Sequence, residues 1–510
     1  MRKLVLMVLI AAAYVFAANA QVCGTVDDGS IIDRLKANKR AIAENSDPTI
    51  RSDEWVYIPI QFHIVRDNNG EGGIREDKIL KELVDVNKNY APLHMYFYLN
   101  APFNYIDYTK LYTDPHNIYS KSWIRKNKEK YPKALNLFIV KNIGASGTGE
   151  VLGYFDPSQD VIIVKKDEFG KHGQTVSHEL GHYFSLPHTF NGWEADPYDP
   201  AKHGNPLTIT KKVIGNKTYI IEFMDKSNCN VAADLFCDTP PDYNFGITDP
   251  ERDCKLNGPI MDYHGDTIVT MENNYMSYFF NCGKYQFTQE QQDAMRADFK
   301  SAKRKFLRTG YEPDTVPIDV SGFKVEQPLD KDNTEFYDYI KLDWSDVPTA
   351  QYYYVVMSLK SQSLRQTLYF TDKSEFIFRD GKKNKWYKWY VIPFKKGYTA
   401  APKLGGYTFK TGQWTVATED LEKSKPGITV FPNPLSGNQV TLKASEDFGK
   451  CKVKIYDIKG RLVESIPAYL HKGENTLNLT HSNYQNGIYN FIINTAKAKY
   501  IRKVFIKNQH

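Results

Sequence analysis

At 510 residues the chain is long enough for about three domains, and its 41% hydrophobic and 25% charged content is that of a globular protein, not a disordered one. A net charge of +6 over that length, with no long basic run, leaves no electrostatic footprint for nucleic acid. The 35 tyrosines and 28 phenylalanines favour β-rich domains over a helical bundle.

Met1 to Ala20 read as a secretory signal: Arg2 and Lys3 start it, Leu4 to Ala18 is apolar, and Ala18-Asn19-Ala20 is a small-x-small cleavage site. The apolar run falls short of the ~20 residues a membrane span needs, so no transmembrane segment is expected once the signal is removed. Cys23 lies three residues inside the cleavage point, whereas a lipoprotein cysteine would sit directly at it. Residues 21–53 are charged and rich in turn-formers, which suits a removable pro-segment, with Arg51-Ser52 as a cut site.

Val56, Ile58, Ile60, Phe62 and Ile64 alternate and predict a strand with one buried face. Ile79, Leu83, Val86 and Tyr90 step at helical spacing behind the acidic start Glu76-Asp77. Leu135 to Val140 and Val161 to Val164 are short apolar runs of strand type. Gly144 to Gly153 is glycine-rich without a phosphate-loop signature and reads as a loop beside a cleft.

The chemistry concentrates in Ser177-His178-Glu179-Leu180-Gly181-His182-Tyr183-Phe184-Ser185-Leu186-Pro187-His188. On a helix, His178 and His182 lie four apart and share a face, the spacing that suits a tetrahedral zinc, with Glu179 beside them as general base. His188 joins only if the chain turns back, because six more helical residues would carry it about 9 Å along the axis. Pro187 disfavours helix at Leu186, so the helix should stop near Ser185 and let the third imidazole swing under the first two. Three protein ligands then leave a position for water, the arrangement of a catalytic zinc. A rival ligand set replaces His188 by Glu194 or Asp196, although Asn191-Gly192 reads as a turn before them.

This stretch resembles the long zinc signature of the metzincin metallopeptidases, and His188-Thr189-Phe190 with Cys237-Asp238-Thr239-Pro240-Pro241-Asp242 resembles the pappalysin family within that clan. The family glycine is Ser185 here, at a turn where a left-handed residue costs serine on the order of 1 kcal/mol or more. The resemblance implies an α+β metzincin-like catalytic domain over residues 54–310, a mixed sheet with an active-site helix, that cleaves protein or peptide substrates. It is similar also at Cys23, placed like the cysteine switch of some pappalysin propeptides, whose thiolate occupies the open zinc position and keeps a zymogen latent. An ordinary disulfide or an idle thiol is the other reading of Cys23.

Beyond the motif, Leu207 to Val213 and Thr218 to Met224 flank Gly215-Asn216 as a hairpin. Cys229, Cys237, Cys254 and Cys282 predict two disulfides of unassigned pairing in an exported protein, with a cysteine-ligated second zinc as rival. Asp234, Asp238, Thr239 and Asp242 offer hard oxygens for a structural calcium, or are solvated turn residues. Asn274-Tyr275-Met276-Ser277-Tyr278 resembles the metzincin Met-turn, which implies Met276 packed beneath the histidines and Tyr278 hydrogen-bonded to the tetrahedral intermediate. Family members that prefer basic residues often carry acids between this tyrosine and the next cysteine. Here the segment is Phe279-Phe280-Asn281, so an apolar primed-side pocket is expected. Thr288 to Gln291 forms a capping-box pattern that opens a final helix.

Tyr311 to Pro317 is a linker. Residues 318–415 hold short aromatic and β-branched runs, among them Ile340 to Trp344 and Tyr352 to Met357, a β-sandwich pattern similar to a fibronectin type III module. Residues 426–510 carry Phe431-Pro432-Asn433-Pro434, Tyr456-Asp457 before Gly460, and Lys503-Val504-Phe505-Ile506-Lys507. That order resembles the C-terminal sorting domain of the bacterial type IX secretion system, which implies the secretion machinery as partner and a secreted or cell-surface location reached through the periplasm. The expectation is one α+β domain followed by two small all-β sandwiches, acting as a secreted zinc endopeptidase. The alternative is a non-catalytic surface adhesin built on a protease-like domain.

Overall fold

A computed structural model describes residues 21–25, 29–44, 53–146, 149–248, 254–414, 427–480, 484–496 and 498–507. The secretory signal expected at Met1 to Ala20 and the cut site at Arg51-Ser52 lie outside them. The chain forms two compact units, one reaching Pro317 and including Phe394–Ala401, the other made of Ile318–Pro393 and Pro402 onward.

The first unit contains strands β1 (Gln21–Cys23), β2 (Val56–Arg66), β3 (Met95–Leu99), β4 (Asn104–Asp107), β5 (Leu135–Val140), β6 (Ala145–Ser146), β7 (Gly149–Asp156) and β8 (Val161–Lys165) in one sheet. Their order is β1-β7-β8-β5-β2-β3, with β4 beside β2 and β6 beside β7. β8, β5, β2 and β3 run parallel, β7 runs antiparallel to β8, and β1 lies parallel along the outer edge of β7. Two sequence expectations change here. β2 is buried on both faces because it is an interior strand with parallel neighbours on each side, not half-buried as its alternation predicts. The glycine-rich stretch from Gly144 forms β6 and β7 instead of a loop: β6 and β8 pair with β7 from nearby in sequence, and the remote β1 lies along its outer edge.

The helices of this unit are α1 (Ser30–Ala43), α2 (Glu76–Tyr90), α3 (Thr109–Thr113), α4 (Ile118–Lys128), α5 (Gln174–Tyr183), α6 (Pro200–His203), α7 (Phe245–Thr248) and α8 (Gln289–Lys300). α5 is the motif helix. It is tied to α2 where the Tyr90 hydroxyl donates to the Ser177 carbonyl at 2.9 Å. α8 opens with the expected capping box, Thr288 and Gln291 bonding each other's backbone N–H. The 21–53 segment, read as turn-rich, contributes both β1 and α1. Ile31 and Leu35 bury one face of α1, and Arg34 donates to Asp298 on α8 and to the Tyr183 carbonyl at the end of α5. Strands β9 (Lys211–Ile214) and β10 (Lys217–Ile220) form the expected hairpin, shorter than its alternation suggested. The cysteines pair as Cys229–Cys237 and Cys254–Cys282, so the cysteine-ligated zinc is ruled out.

The second unit is all-β. A three-stranded and a five-stranded sheet use residues between Val325 and Lys410, and a second such pair uses residues between Ile428 and Lys507. Trp344 and Trp389 fill the first pair, while Val453, Ile455, Phe491 and Val504 lie in the core of the second. The molecule is therefore mixed α/β followed by β-sandwich regions. No helix among the described residues is long and apolar enough to cross a membrane.

Candidate metal centre

α5 ends as its sequence predicts. Phe184 closes it, the Leu186 N–H reaches back to the Gly181 carbonyl at 2.9 Å, and the Ser185 N–H reaches the His182 carbonyl at 3.0 Å. That bond pair is a Schellman motif whose left-handed position is Ser185, at φ 72°. Serine replaces the usual glycine because its hydroxyl is held from outside: the Asn38 amide of α1 donates to Ser185 Oγ at 2.8 Å. The turn brings His188 back beneath the helix. Nε2 of His182 lies 3.2 Å from Nε2 of His178 and 3.1 Å from Nε2 of His188.

All three rings point Nε2 inward and turn Nδ1 outward to an acceptor. His178 Nδ1 meets the Tyr275 carbonyl at 2.6 Å, His182 Nδ1 the Leu186 carbonyl at 2.7 Å, and His188 Nδ1 the Glu194 carboxylate at 3.4 Å. Such outer partners fix the tautomer a metal ligand needs. Burial pushes His178 down to about 3 and His182 well below the usual imidazole range, helped in each by the nearby His188, so both rings are neutral and available as donors. With Cys23 Sγ they form the one group of three or more His, Cys, Asp or Glu side chains among the described residues whose ligand atoms converge, all within 4.8 Å.

Glu179 is buried beside this cluster, and burial raises its carboxyl to about 8. Oε2 faces the 21–25 segment: the Thr25 hydroxyl donates to it at 3.1 Å, and Cys23 Sγ lies 3.5 Å away. Thr25 Oγ1 in turn accepts the Phe155 N–H of β7 at 2.9 Å. The sequence reading missed Thr25, although its place two residues after Cys23 was a usable signal. Burial and the Glu179 charge push the Cys23 thiol up. Its backbone N–H donates to Tyr278 Oη at 3.0 Å, and that hydroxyl donates to the Cys23 carbonyl at 3.2 Å. The ordinary-disulfide reading of Cys23 fails, since its thiol is free.

Met276 lies fully buried under α5, where a side chain at Gly181 would bring a Cβ within 2.4 Å of its sulfur. Glycine between the first two histidines leaves room for that close approach, which a Cβ would press upon. Asp242 accepts from Thr189 Oγ1 at 2.8 Å and Ser277 Oγ at 2.7 Å on one oxygen, tying the segment after His188 to the Met276 turn. The four proposed calcium ligands do not meet as a set. Asp242 is fully engaged in that brace, and Thr239 donates its hydroxyl to Asp234 Oδ1 at 2.9 Å. Asp234 Oδ2 and Asp238 Oδ1 are buried without a hydrogen-bond partner, as are both carboxylate oxygens of Glu222 and Oδ1 of Asn244. Burial, followed by repulsion from Asp234, raises Glu222 to about 10. Asp196, one rival ligand, turns away to Lys202, Lys212 and His203.

A pocket opens beside His178 and Glu179, walled by Leu152, Thr175, Tyr275, Phe279 and Phe280 with Gln174 among its lining. Apart from His178 and Glu179 of the cluster itself, its lining holds no His, Lys, Arg, Asp or Glu side chain.

Comparison with known proteins agrees with these features in part. Residues 429–507 match the family described as a secretion system C-terminal sorting domain. An extracellular metalloprotease of Verticillium alfalfae is 27% identical over 204 residues, 36% of this chain and 72% of that protein. An extracellular metalloprotease of Neurospora crassa is 26% identical over 157 residues, 27% of this chain, and the chain spans about half of that relative's length. Among solved structures, chicken CNTN1 FN1–FN3 domains cover 38% of the chain at 9% identity and TM-score 0.18. A two-domain fibronectin type III segment of chicken tenascin covers 38% at 15% identity and TM-score 0.15. Scores that low carry no argument about fold. The tail indicates the type IX secretion machinery as partner, and the chain is a secreted or cell-surface protein.

Proposed function

We propose that the chain is a secreted zinc endopeptidase of pappalysin-like metzincin type, made as a zymogen. The observation that carries this reading is the convergence of three imidazole Nε2 atoms, each ring held from behind through Nδ1, beside a buried carboxylate. The donor set fits zinc: three imidazoles with a thiol as fourth group suit a borderline-soft, tetrahedral cation better than calcium or magnesium. His178, His182 and His188 would hold it. A zinc ion there supplies Lewis acidity to the scissile carbonyl and to the attacking water.

The chain's own groups do the rest. Glu179, desolvated and aimed at the site, accepts the water's proton and later delivers one to the leaving amine. Tyr278, once its hydroxyl is free of the Cys23 backbone, donates to the developing oxyanion. Met276 supports the ligand helix from below. The uncharged pocket beside Glu179 supports a preference for an apolar residue just after the cleaved bond.

Latency follows from the same geometry. Cys23 occupies the position a fourth ligand would take, Thr25 engages the base, and the backbone at Cys23 engages Tyr278. Residues 21–53 would then be the removable segment, 54–310 the catalytic domain, 318–415 a fibronectin type III-like spacer and 426–510 the sorting domain. A structural calcium is retained in narrower form, at Asp234 with Glu222, because buried oxygens on both lack hydrogen-bond partners and the two carboxylates repel.

The test uses purified protein lacking residues 1–53, assayed for zinc content and casein hydrolysis before and after chelation. Glu179→Gln should keep zinc while cleavage falls about 10²–10⁴-fold. Cleavage retained by that variant overturns the base assignment, and a zinc-free, inactive wild type overturns the peptidase in favour of a binding protein.

A further inference from the structure

The three imidazoles are not held alike. Backbone carbonyls hold His178 and His182, so those outer partners are neutral and the same whatever the side chain. His188 alone meets a side chain, and an anionic one. Glu194 Oε1 stands 3.4 Å from Nδ1, while Oε2 accepts the Gly192 N–H at 2.8 Å. We infer that Glu194 is a positioning residue for His188, a carboxylate that locks the third ring's tautomer and strengthens it as a ligand. This rests on the zinc peptidase reading.

The surroundings are built to keep Glu194 there. Gly192 adopts φ 96°, and a Cβ at that position would come within 2.8 Å of Tyr219 on β10, so the hairpin closes directly on the turn that carries the carboxylate. Lys212 of β9 sits 3.8 Å from the centroid of the Trp193 ring, the residue beside Glu194. On the other side, Phe190 stacks on His188 at 4.6 Å with planes 10° apart, which leaves the ring little freedom except rotation about the axis Glu194 controls. A residue first weighed as a metal ligand thus acts one step back from the metal. A carboxylate raises the basicity of the imidazole it bonds, and loss of such a partner typically costs 10–100-fold in metal affinity.

The experiment compares full-length wild type, Glu194→Gln and Glu194→Ala. Zinc affinity is read by chelator competition, ligand-field strength by the visible absorption of the cobalt-loaded protein, and the fold by the melting temperature of the metal-free form. Glu194→Ala should bind zinc about 10–100-fold more weakly and shift the cobalt bands, with little change in metal-free melting. Glu194→Gln keeps an acceptor for Gly192 but not the charge, and should fall between. Affinities for both variants within about twofold of wild type, or cobalt spectra identical to it, overturn the proposal. A wild type that binds no zinc overturns the peptidase reading itself and this inference with it, so the two failures are distinct.

Discussion

Ser185 accepts a left-handed backbone that costs a non-glycine residue about 1 kcal/mol or more, and Asn38 meets the cost with a hydrogen bond to its hydroxyl. Away from the metal centre, His63 on β2 shows what burial does to a lone imidazole. It is fully buried, stacked on Phe138 at 4.1 Å, accepts from Asn104 at Nδ1 and donates from Nε2 to Asn136. Burial lowers it to about 4, against about 6.5 in an unfolded chain. Between those values the unfolded state takes up a proton that the folded state refuses, so stability falls as pH drops from ~6.5 to ~4, by roughly 3 kcal/mol in all. Urea midpoints measured at pH 7 and pH 4.5 should show that loss in wild type and a flatter profile in His63→Gln. Much at this scale was legible in the sequence. His178, Glu179, His182 and His188 announce themselves by spacing and by the proline that ends the helix. Two of the acceptors behind the imidazoles were not legible, since a backbone carbonyl has no residue-type signature. Glu222 was hidden because no motif marks it as a neighbour of Asp234.

Strand β1 is the element the chain's pattern concealed most. Three residues carry too little periodicity to predict, and what defines them is the free edge of β7, remote in sequence. Glycine-rich β7 reads as a loop because its glycines blur the strand pattern. As an element, β1 and the residues after it make three contacts together: thiol beside the three imidazoles, Thr25 on Glu179, backbone on Tyr278. Removing the thiol alone should therefore release the uncut chain only in part. Casein cleavage by uncut Cys23→Ala should rise above the uncut wild type, and adding Thr25→Val should raise it about tenfold further, the worth of one buried hydrogen bond. A double variant no faster than Cys23→Ala would leave Thr25 without a part in latency.

At the scale of the whole molecule, the sorting domain sets where the chemistry occurs. Deleting residues 426–510 should leave the chain inside the cell envelope, seen as loss of the protein from medium and cell surface by immunoblot of fractions, while its zinc content stays unchanged. The β-sandwich regions were legible from their strand-and-turn rhythm; their sheet partners were not, because pairing across dozens of residues leaves no local trace. One feature of the first unit reaches furthest. Asp298 and Asp160 are balanced by two arginines, Arg34 from α1 and Arg304, and both guanidinium groups also grip the carbonyl that ends α5. Excision of residues 21–53 would carry off one of those cations and leave buried Asp298 and partly buried Asp160 to share the other. If removal of that segment is the activating cut proposed above, the shortened chain should be the less durable form, seen as faster loss of structure on warming than the uncut chain shows.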